Sequence, residues 1–484
     1  MQLPYFWDEL GQFVPGALDL LREGRWIPRS TTANSHPPGV TAYLALVWWA
    51  FGYSITATRT AMLLLASAAV LAVFLLAIQL CREVKGAPAY SAVLLFLACP
   101  LFYSQSMLAQ LDMPAMLFTT VGLLCFLQGR YAASVIACAA AVTMKETALV
   151  APLVFSAFLL SERKYREAVL FLAPALLVGA WLLYVTTATG HWFGAAEYTR
   201  YNLTYPLHPA RLSAALLRRA WYLFAANFHW IGSGAILYAW RRSAIFWTRQ
   251  WGVAAAYFAT NALIVTILGG AALERYLLPA LPVFYIAVAA AWTALPPLWR
   301  NCSQVVMLGG LVGSLFWNPP YPFPFENNLA MVDFVKLQQA AAEYVEHRYA
   351  NHPVASAWPM SDALRRPEFG YVSRPMQVLG VEDFSPRHVA GTKGSDVFIL
   401  YSRTWEPAWS VLRLGWAKDF LVRYYSYEPQ VTAAEIYQDL KLLPVARWER
   451  RGQWIEVYAK DPAIPPITTV VELNLLPPAA VSIL

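Results

Sequence analysis

The feature that most constrains this chain is a succession of apolar runs, each close to the ~20 residues a helix needs to cross the hydrocarbon core of a bilayer. Candidate spans lie at 55–80, 88–103, 113–128, 131–145, 147–160, 167–188, 219–240, 251–270, 276–295 and 303–317, several short enough to be tilted, broken or re-entrant. Of the 484 residues, 58% are hydrophobic and 13% charged, whereas a soluble domain is about a quarter charged. Lipid offers backbone polar groups no partner, so such a chain must satisfy them inside helices. The expected fold class is a polytopic α-helical membrane protein.

The connections between runs differ in charge. CREVKG (81–86), GRY (129–131), SERKYRE (161–167), WRRSAIFWTRQ (240–250) and LWRNC (298–302) are basic and fall on one side, which the positive-inside rule assigns to the cytoplasm. The alternate connections YSQSMLAQLD (103–112), MKET (144–147), 190–219 and GGAALERY (269–276) carry isolated acids, single cations and aromatics, and belong outside. The dissenting feature is Arg218-Arg219 on that outer side, placed to meet lipid phosphates. The net charge of +7 thus reflects topology and calls for no nucleic acid. The five cysteines lie within or beside apolar runs, without disulfide or zinc spacing.

Three regions are expected: residues 1–54, an outer first loop with interfacial amphipathic helices; 55–317, a transmembrane bundle of about ten helices; and 318–484, an extracytoplasmic α/β domain. In the first, ELGQFVPGALDLLREGR (9–25) places Phe13, Ala17, Leu20 and Leu21 on one helical face. This helix is expected to lie flat on the outer interface, and TAYLALVWWAFGY (41–53) to form a second interfacial or tilted one. The aromatics of YFWDEL (5–10) would hold their loop at the headgroup boundary. The first 30 residues lack the charged, apolar, small-residue order of a cleavable signal peptide, and a first membrane helix is expected upstream of Met1. After the linker WNPPYPFPFENN (317–328), helical periodicity covers 331–349, while VASAW (354–358), DVFILYS (396–402) and WIEVYAK (454–460) read as strands. The tail PPITTVVELNLLPPAAVSIL reads as an extended or edge-docking segment.

Charges at the centre of a span cost on the order of 2.5–3.5 kcal/mol on insertion scales, so those at the span ends need explaining. Asp8 and Glu9, followed by SHPPG (35–39), supply carboxylates that can deprotonate an acceptor hydroxyl or cap the following helix. Asp112, before Pro114, is a second outer carboxylate and equally a helix cap. Lys145-Glu146 sits between two apolar stretches, either as an ion pair turning a hairpin or as a site where Lys145 neutralises a phosphate. Arg275 and Tyr276, in ERYLLPALP (274–282), suit bidentate recognition of a phosphate whose hydrocarbon tail runs down the helices, or simple snorkelling.

The order of an acidic pair, an amphipathic helix, GRWIP (24–28), HPP (36–38), Leu-Asp-x-Pro at 111–114, a lysine corner and R-Y-x-x-P-x-x-P at 275–282 resembles the GT-C membrane glycosyltransferases. The branch it looks most like contains the lipid A aminoarabinose transferase and the dolichyl-phosphate-mannose protein mannosyltransferases. The resemblance covers residues 5 to about 295. It implies a GT-C-like transmembrane bundle in a bacterial inner membrane, with the active site and C-terminal domain facing the periplasm or outside. It also implies inverting transfer of a sugar from a polyprenyl-phosphate carrier to a lipid, glycan or protein acceptor at the outer face. Asp8 would be the catalytic base, supported by Glu9, and Asp112 would shape the same site. His36, Lys145, Glu146, Arg275 and Tyr276 would face the lipid phosphate. A divalent metal is a possible cofactor. The family commonly has lysine before the Pro-Pro pair, where this chain has His36, whose charge depends on local pH.

Two other readings remain open. A transporter or flippase for a polyprenyl-linked or anionic substrate would place its charges near mid-membrane and show repeat symmetry, and no internal repeat is visible. A catalytically degenerate relative would keep the scaffold as an assembly partner.

Overall fold

The computed structural model describes residues 2–86, 88–268, 270–404, 414–460 and 471–472. The chain divides into two compact units: residues 12–318 with 326–328, and residues 2–11 and 319–325 with the described residues from 329 onward.

Every regular element described in the first unit is helical. Four helices are long and apolar enough to cross a membrane: Ile55–Leu80, Tyr165–Thr189, Arg249–Ile267 and Glu274–Trp292. Gly39–Phe51, Pro88–Ala98, Asp112–Leu127, Tyr131–Met144 and Glu146–Ser161 are apolar but shorter. The most apolar stretch of the segment from Glu274 is 89% buried, against 28% for that of Tyr165–Thr189, so the first runs through the middle of the bundle and the second lies at its surface. Helices in lipid gain little from apolar burial alone, so close backbone approach at small residues holds them together. Along the hairpin of Asp112–Leu127 and Tyr131–Met144, Ser134 Oγ donates to the Gly122 carbonyl at 2.7 Å. A Cβ on Gly122 would lie 3.1 Å from Cys138 Sγ, and one on Gly232 only 2.6 Å from Val288 Cγ2.

Two expectations need correction. The span 219–240 is not one helix: Pro209–Phe224 and His229–Arg242 meet at Asn227 and Phe228, both left-handed (φ 51° and 64°). The stretch 9–25 is not a one-sided interfacial helix either. It folds as a π-helical turn, Glu9–Phe13, and an α-helix, Val14–Glu23, that buries Val14 through Asp19 in succession. Asp19 Oδ2 accepts the backbone N–H groups of Arg29 and Ser30, each at 2.8 Å, which satisfies its charge inside the fold.

The second unit is α/β. Its strands are β1 (Val354–Ala357), β2 (Val378–Val381), β3 (Val397–Tyr401), β4 (Leu443–Arg450), β5 (Gln453–Ala459) and β6 (Val471–Glu472). They form one sheet in the order β2-β1-β3-β5-β4-β6. β1 is parallel to both β2 and β3, and β3, β5 and β4 run antiparallel in turn. β1 and β3 are buried along their whole length, as central strands covered on both faces must be, and read as unbroken apolar runs. The helix Ala330–Tyr349 packs on β4 and β5. Of the expected tail segment, β6 pairs in parallel with β4, and the rest lies outside the described residues.

Tyr5 and Phe6 of YFWDEL are core residues here and not headgroup anchors, and the half-buried Trp7 packs beside them. Tyr5 and Phe6 are 0% and 2% exposed. Phe6 meets Phe334 edge-on at 5.7 Å, Trp7 meets Trp358 at 4.9 Å, and the Tyr371 hydroxyl donates to the Tyr5 carbonyl at 2.8 Å. Rings that suit a headgroup boundary suit a protein interior equally well, and here the interior supplies specific ring and hydrogen-bond partners.

Candidate active site

Two helices of 16 and 14 residues, Asp112–Leu127 and Tyr131–Met144, are joined by Gln128–Arg130. At 1.5 Å per residue they have nearly equal length, so the start of the first and the end of the second share one end of the hairpin. Asp112 lies in the first turn and Lys145 at the C-cap, each where the helix dipole favours its charge. Lys145 Nζ donates to Asp112 Oδ1 at 2.6 Å, with both side chains more than nine-tenths buried. Asp112 is therefore a counter-ion, not a cap, and no side-chain cap bond forms at that helix start.

Arg275 and Tyr276 come from the tight turn Glu274–Ala280, which feeds the central helix Leu281–Trp292. Arg275 Nε lies 3.4 Å from Asp112 Oδ2, and its Nη1 donates to Glu326 Oε2 at 2.7 Å. The Glu326 backbone carbonyl accepts from Ser104 Oγ at 2.6 Å. Lys145 Nζ stands 4.0 Å from the centre of the Tyr276 ring, and the Arg219 and Arg275 guanidiniums are each 5.6 Å from it. Three cations thus gather around one aromatic ring.

Beside this lies a second set. Glu274 is held by Arg218 through two hydrogen bonds, one of 3.0 Å to Oε2, and by Asn327 Nδ2 at 2.8 Å. Arg219, 2% exposed, donates to the carbonyls of Leu273 and Val265. The reading of Lys145-Glu146 as a mutual ion pair is overturned, because Lys145 bonds Asp112 while Glu146 Oε2 bonds His36 Nδ1 at 2.8 Å. His36 Nε2 lies 3.2 Å from the Tyr198 hydroxyl. A small cavity of about 40 Å³ adjoins His36, walled by Phe13, Trp26, Asn34, Thr41 and Trp181.

Asp8 and Glu9 belong to the second unit. Trp7 there is left-handed, at φ 49°, and the chain turns sharply into the helical segment. Glu9 is fully buried and its Oε2 accepts the Phe6 N–H at 2.8 Å, so it holds the loop. Asp8 is partly exposed.

Sequence reasoning missed Glu274, Glu326, Asn327 and Gln110. Gln110 is fully buried, two residues before Asp112, and its amide group finds no hydrogen-bond partner among the described residues. Its signal was a polar amide inside an otherwise apolar approach to Asp112. Among the described residues no group of three or more His, Cys, Asp or Glu is arranged to hold a metal. Asp112 and Glu326 have cationic side chains on their carboxylates, so these residues do not fit a metal centre.

No family model matches the sequence, and no curated protein does. Among solved structures, the fold is similar to ArnT from Cupriavidus metallidurans bound to undecaprenyl phosphate. The TM-score is 0.56 at 14% identity, covering 96% of this chain and 95% of that one. ArnT in the apo state aligns with a TM-score of 0.53 at 13% identity over 94% of each chain. The Archaeoglobus fulgidus oligosaccharyltransferase in the apo form aligns at a TM-score of 0.48 and 10% identity, over 96% of this chain and 72% of that one. The protein is thus an integral membrane protein, a helical bundle followed by an α/β domain, with a fold similar to that of ArnT.

Proposed function

We propose that this protein transfers a sugar from a polyprenyl-phosphate carrier to an acceptor at the outer face of the membrane, with inversion at the anomeric carbon. The observation that carries the reading is the convergence of Lys145, Arg219 and Arg275 on the Tyr276 ring at the mouth of the hairpin. In such a transfer the leaving group is already an anionic phosphate ester. Preorganised cations that stabilise its growing charge do the work of a general acid, and in a dry site each is worth far more than in water.

In this reading Arg275 and Lys145 hold the phosphate, Tyr276 lies beneath it, and Asp112 keeps both cations aimed. Asp8 takes the proton from the acceptor hydroxyl, and that oxygen displaces the phosphate from the anomeric carbon. Glu9 does not share this role, because its carboxylate is fully buried on the Phe6 backbone. His36, tied to Glu146 and Tyr198, borders the small cavity and would donate to a phosphate or sugar oxygen. ArnT was crystallised with undecaprenyl phosphate, which supports a carrier of that class. The basic connections at the opposite end of the bundle support a cytoplasmic side there, and a reaction on the outer side.

The test is turnover of radiolabelled polyprenyl-phosphate sugars in membranes carrying wild-type or Asp8→Asn protein. Label should pass to an acceptor only with the wild type. Equal turnover by the variant removes Asp8 from the chemistry, and movement of label across the membrane without transfer removes the transferase reading.

A further inference from the structure

We propose that the basic end of the bundle binds an anionic phospholipid, with one acyl chain in an apolar cavity and the headgroup on Arg241 and Arg242. The cavity, of about 290 Å³, lies among the helices Pro209–Phe224, His229–Arg242, Arg249–Ile267 and Leu281–Trp292. Every residue lining it is aliphatic or aromatic, and none belongs to the candidate active site. The assignment is independent of the reaction proposed above.

Residue size opens this space. Phe224 meets Phe258 and Phe284 edge-on at 6.1 and 6.3 Å, and Phe246 meets Trp251 at 5.0 Å. Ala255 stands one turn after Trp251, and Ala287 one turn after Val283, so a methyl group faces the cavity where a ring would close it. Such an apolar space stays free of water, and left empty it forfeits the contacts of its walls. Phe224, Trp240 and Ala255 are exposed, so the cavity opens on the surface of the bundle. In a bilayer, a hydrocarbon chain is what can fill it.

The rim selects the lipid. Trp240, in the cavity wall, stacks on Trp247 at 5.9 Å with 21° between the rings, and both are exposed, as tryptophans at headgroup level are. Their connection, 240–250, carries three arginines and no acidic residue. Arg249 is bonded to Glu162. Arg241 and Arg242, exposed in the last turn beside Trp240, have no carboxylate partner among the described residues. Two unmatched cations beside a hydrocarbon slot complement an anionic headgroup, whose attraction to basic residues at a membrane surface is additive. A carrier held by its phosphate at Lys145 and Arg275 would bring no charge to this end.

The experiment is photocrosslinking of the purified full-length protein in mixed micelles with a phosphatidylglycerol that carries a diazirine midway along one acyl chain. Peptide mapping should place the label at residues 255–258 and 283–287. Unlabelled phosphatidylglycerol should displace the probe roughly 10- to 30-fold better than phosphatidylcholine with the same chains. Arg241→Gln/Arg242→Gln should remove that preference while leaving phosphatidylcholine binding as before. Ala255→Phe, which fills the cavity, should abolish labelling of these peptides. Should Ala255→Phe not fold, the wild-type competition and the exposed arginine pair decide the matter.

Label confined to other helices, equal displacement by the two phospholipids, or an arginine double variant that keeps the preference would each overturn the proposal. Displacement by undecaprenyl phosphate at concentrations where phosphatidylglycerol has no effect would give the cavity to a carrier tail, and overturn it as well.

Discussion

Lys145 Nζ lies 2.6 Å from Asp112 Oδ1 although 33 residues separate the two in sequence. The pair exists because two apolar helices of matched length fold back on one another, and it closes the end of that hairpin. Both charges are buried, so each depends on the other. Asp112→Asn or Lys145→Met alone should destabilise the protein by about 3–5 kcal/mol, by stranding a charge, while the double variant should cost much less than the sum. Equilibrium unfolding in mixed micelles gives the coupling. Additive losses would mean the two residues do not form a pair.

Arg275 divides its guanidinium between Asp112 and Glu326. If it stabilises phosphate leaving, Arg275→Gln should lower kcat by roughly 10²–10³-fold, in the range seen for removal of one charge-stabilising donor. Lysine at this position should not restore the rate. A rise in KM with kcat intact would reassign Arg275 to binding alone.

Asp8 and Glu9 should separate cleanly. Asp8→Asn should lower transfer by roughly 10²–10⁴-fold with the melting transition unchanged. Glu9→Ala should do the opposite first, losing the bond to the Phe6 N–H and about 1–3 kcal/mol of stability. A variant at Glu9 that folds as well as wild type yet transfers nothing would exchange the two roles.

Gly232 allows close contact between the helix His229–Arg242 and the central helix. Gly232→Ala places a Cβ 2.6 Å from Val288 Cγ2 and should cost about 1–3 kcal/mol by overpacking. Val288→Ala in the same protein should restore most of the loss. Failure of that rescue would show that the strain lies elsewhere.

One pH effect belongs to the second unit. Burial raises the Asp383 carboxyl, but the Ser385 hydroxyl and His388, at 2.6 and 2.7 Å, outweigh it and bring its pKa from 3.8 down to about 2. The folded form thus favours the carboxylate. The stabilisation is complete above the unfolded value and is lost as pH falls through about 2. Hydrogen exchange of the 383–389 segment in the full protein should accelerate over that window relative to Asp383→Asn, in which the extra pH dependence disappears. Parallel profiles would show that Asp383 does not hold the turn.

The bundle was legible because apolar length is hard to disguise, and β1, β3, β5 and the helix Ala330–Tyr349 because their periods are clear. β2 was not: it is a largely exposed edge strand with Gly380 at its centre. β4 begins on a proline dipeptide and alternates charges, among them Arg447, which pairs with Glu456 across the sheet. Asp112, Lys145 and Arg275 stood out as charges flanking apolar runs. Glu326 did not, because a carboxylate in a Pro and aromatic linker looks solvated until the linker is seen to return it to Arg275. YFW was misplaced for a different reason: side chains with an apolar body and a polar edge suit an interface and a core alike.

The contact between Tyr371 and Tyr5 spans 366 residues, and it sets a clock. At a synthesis rate of roughly 5–20 residues per second, the opening aromatics must wait about 20–70 s before the ring systems and carbonyls that will cover them have been made. During that interval Tyr5, Phe6 and Trp7 are apolar surface exposed on the nascent membrane chain. Whatever shields them then, lipid or chaperone, must release them later.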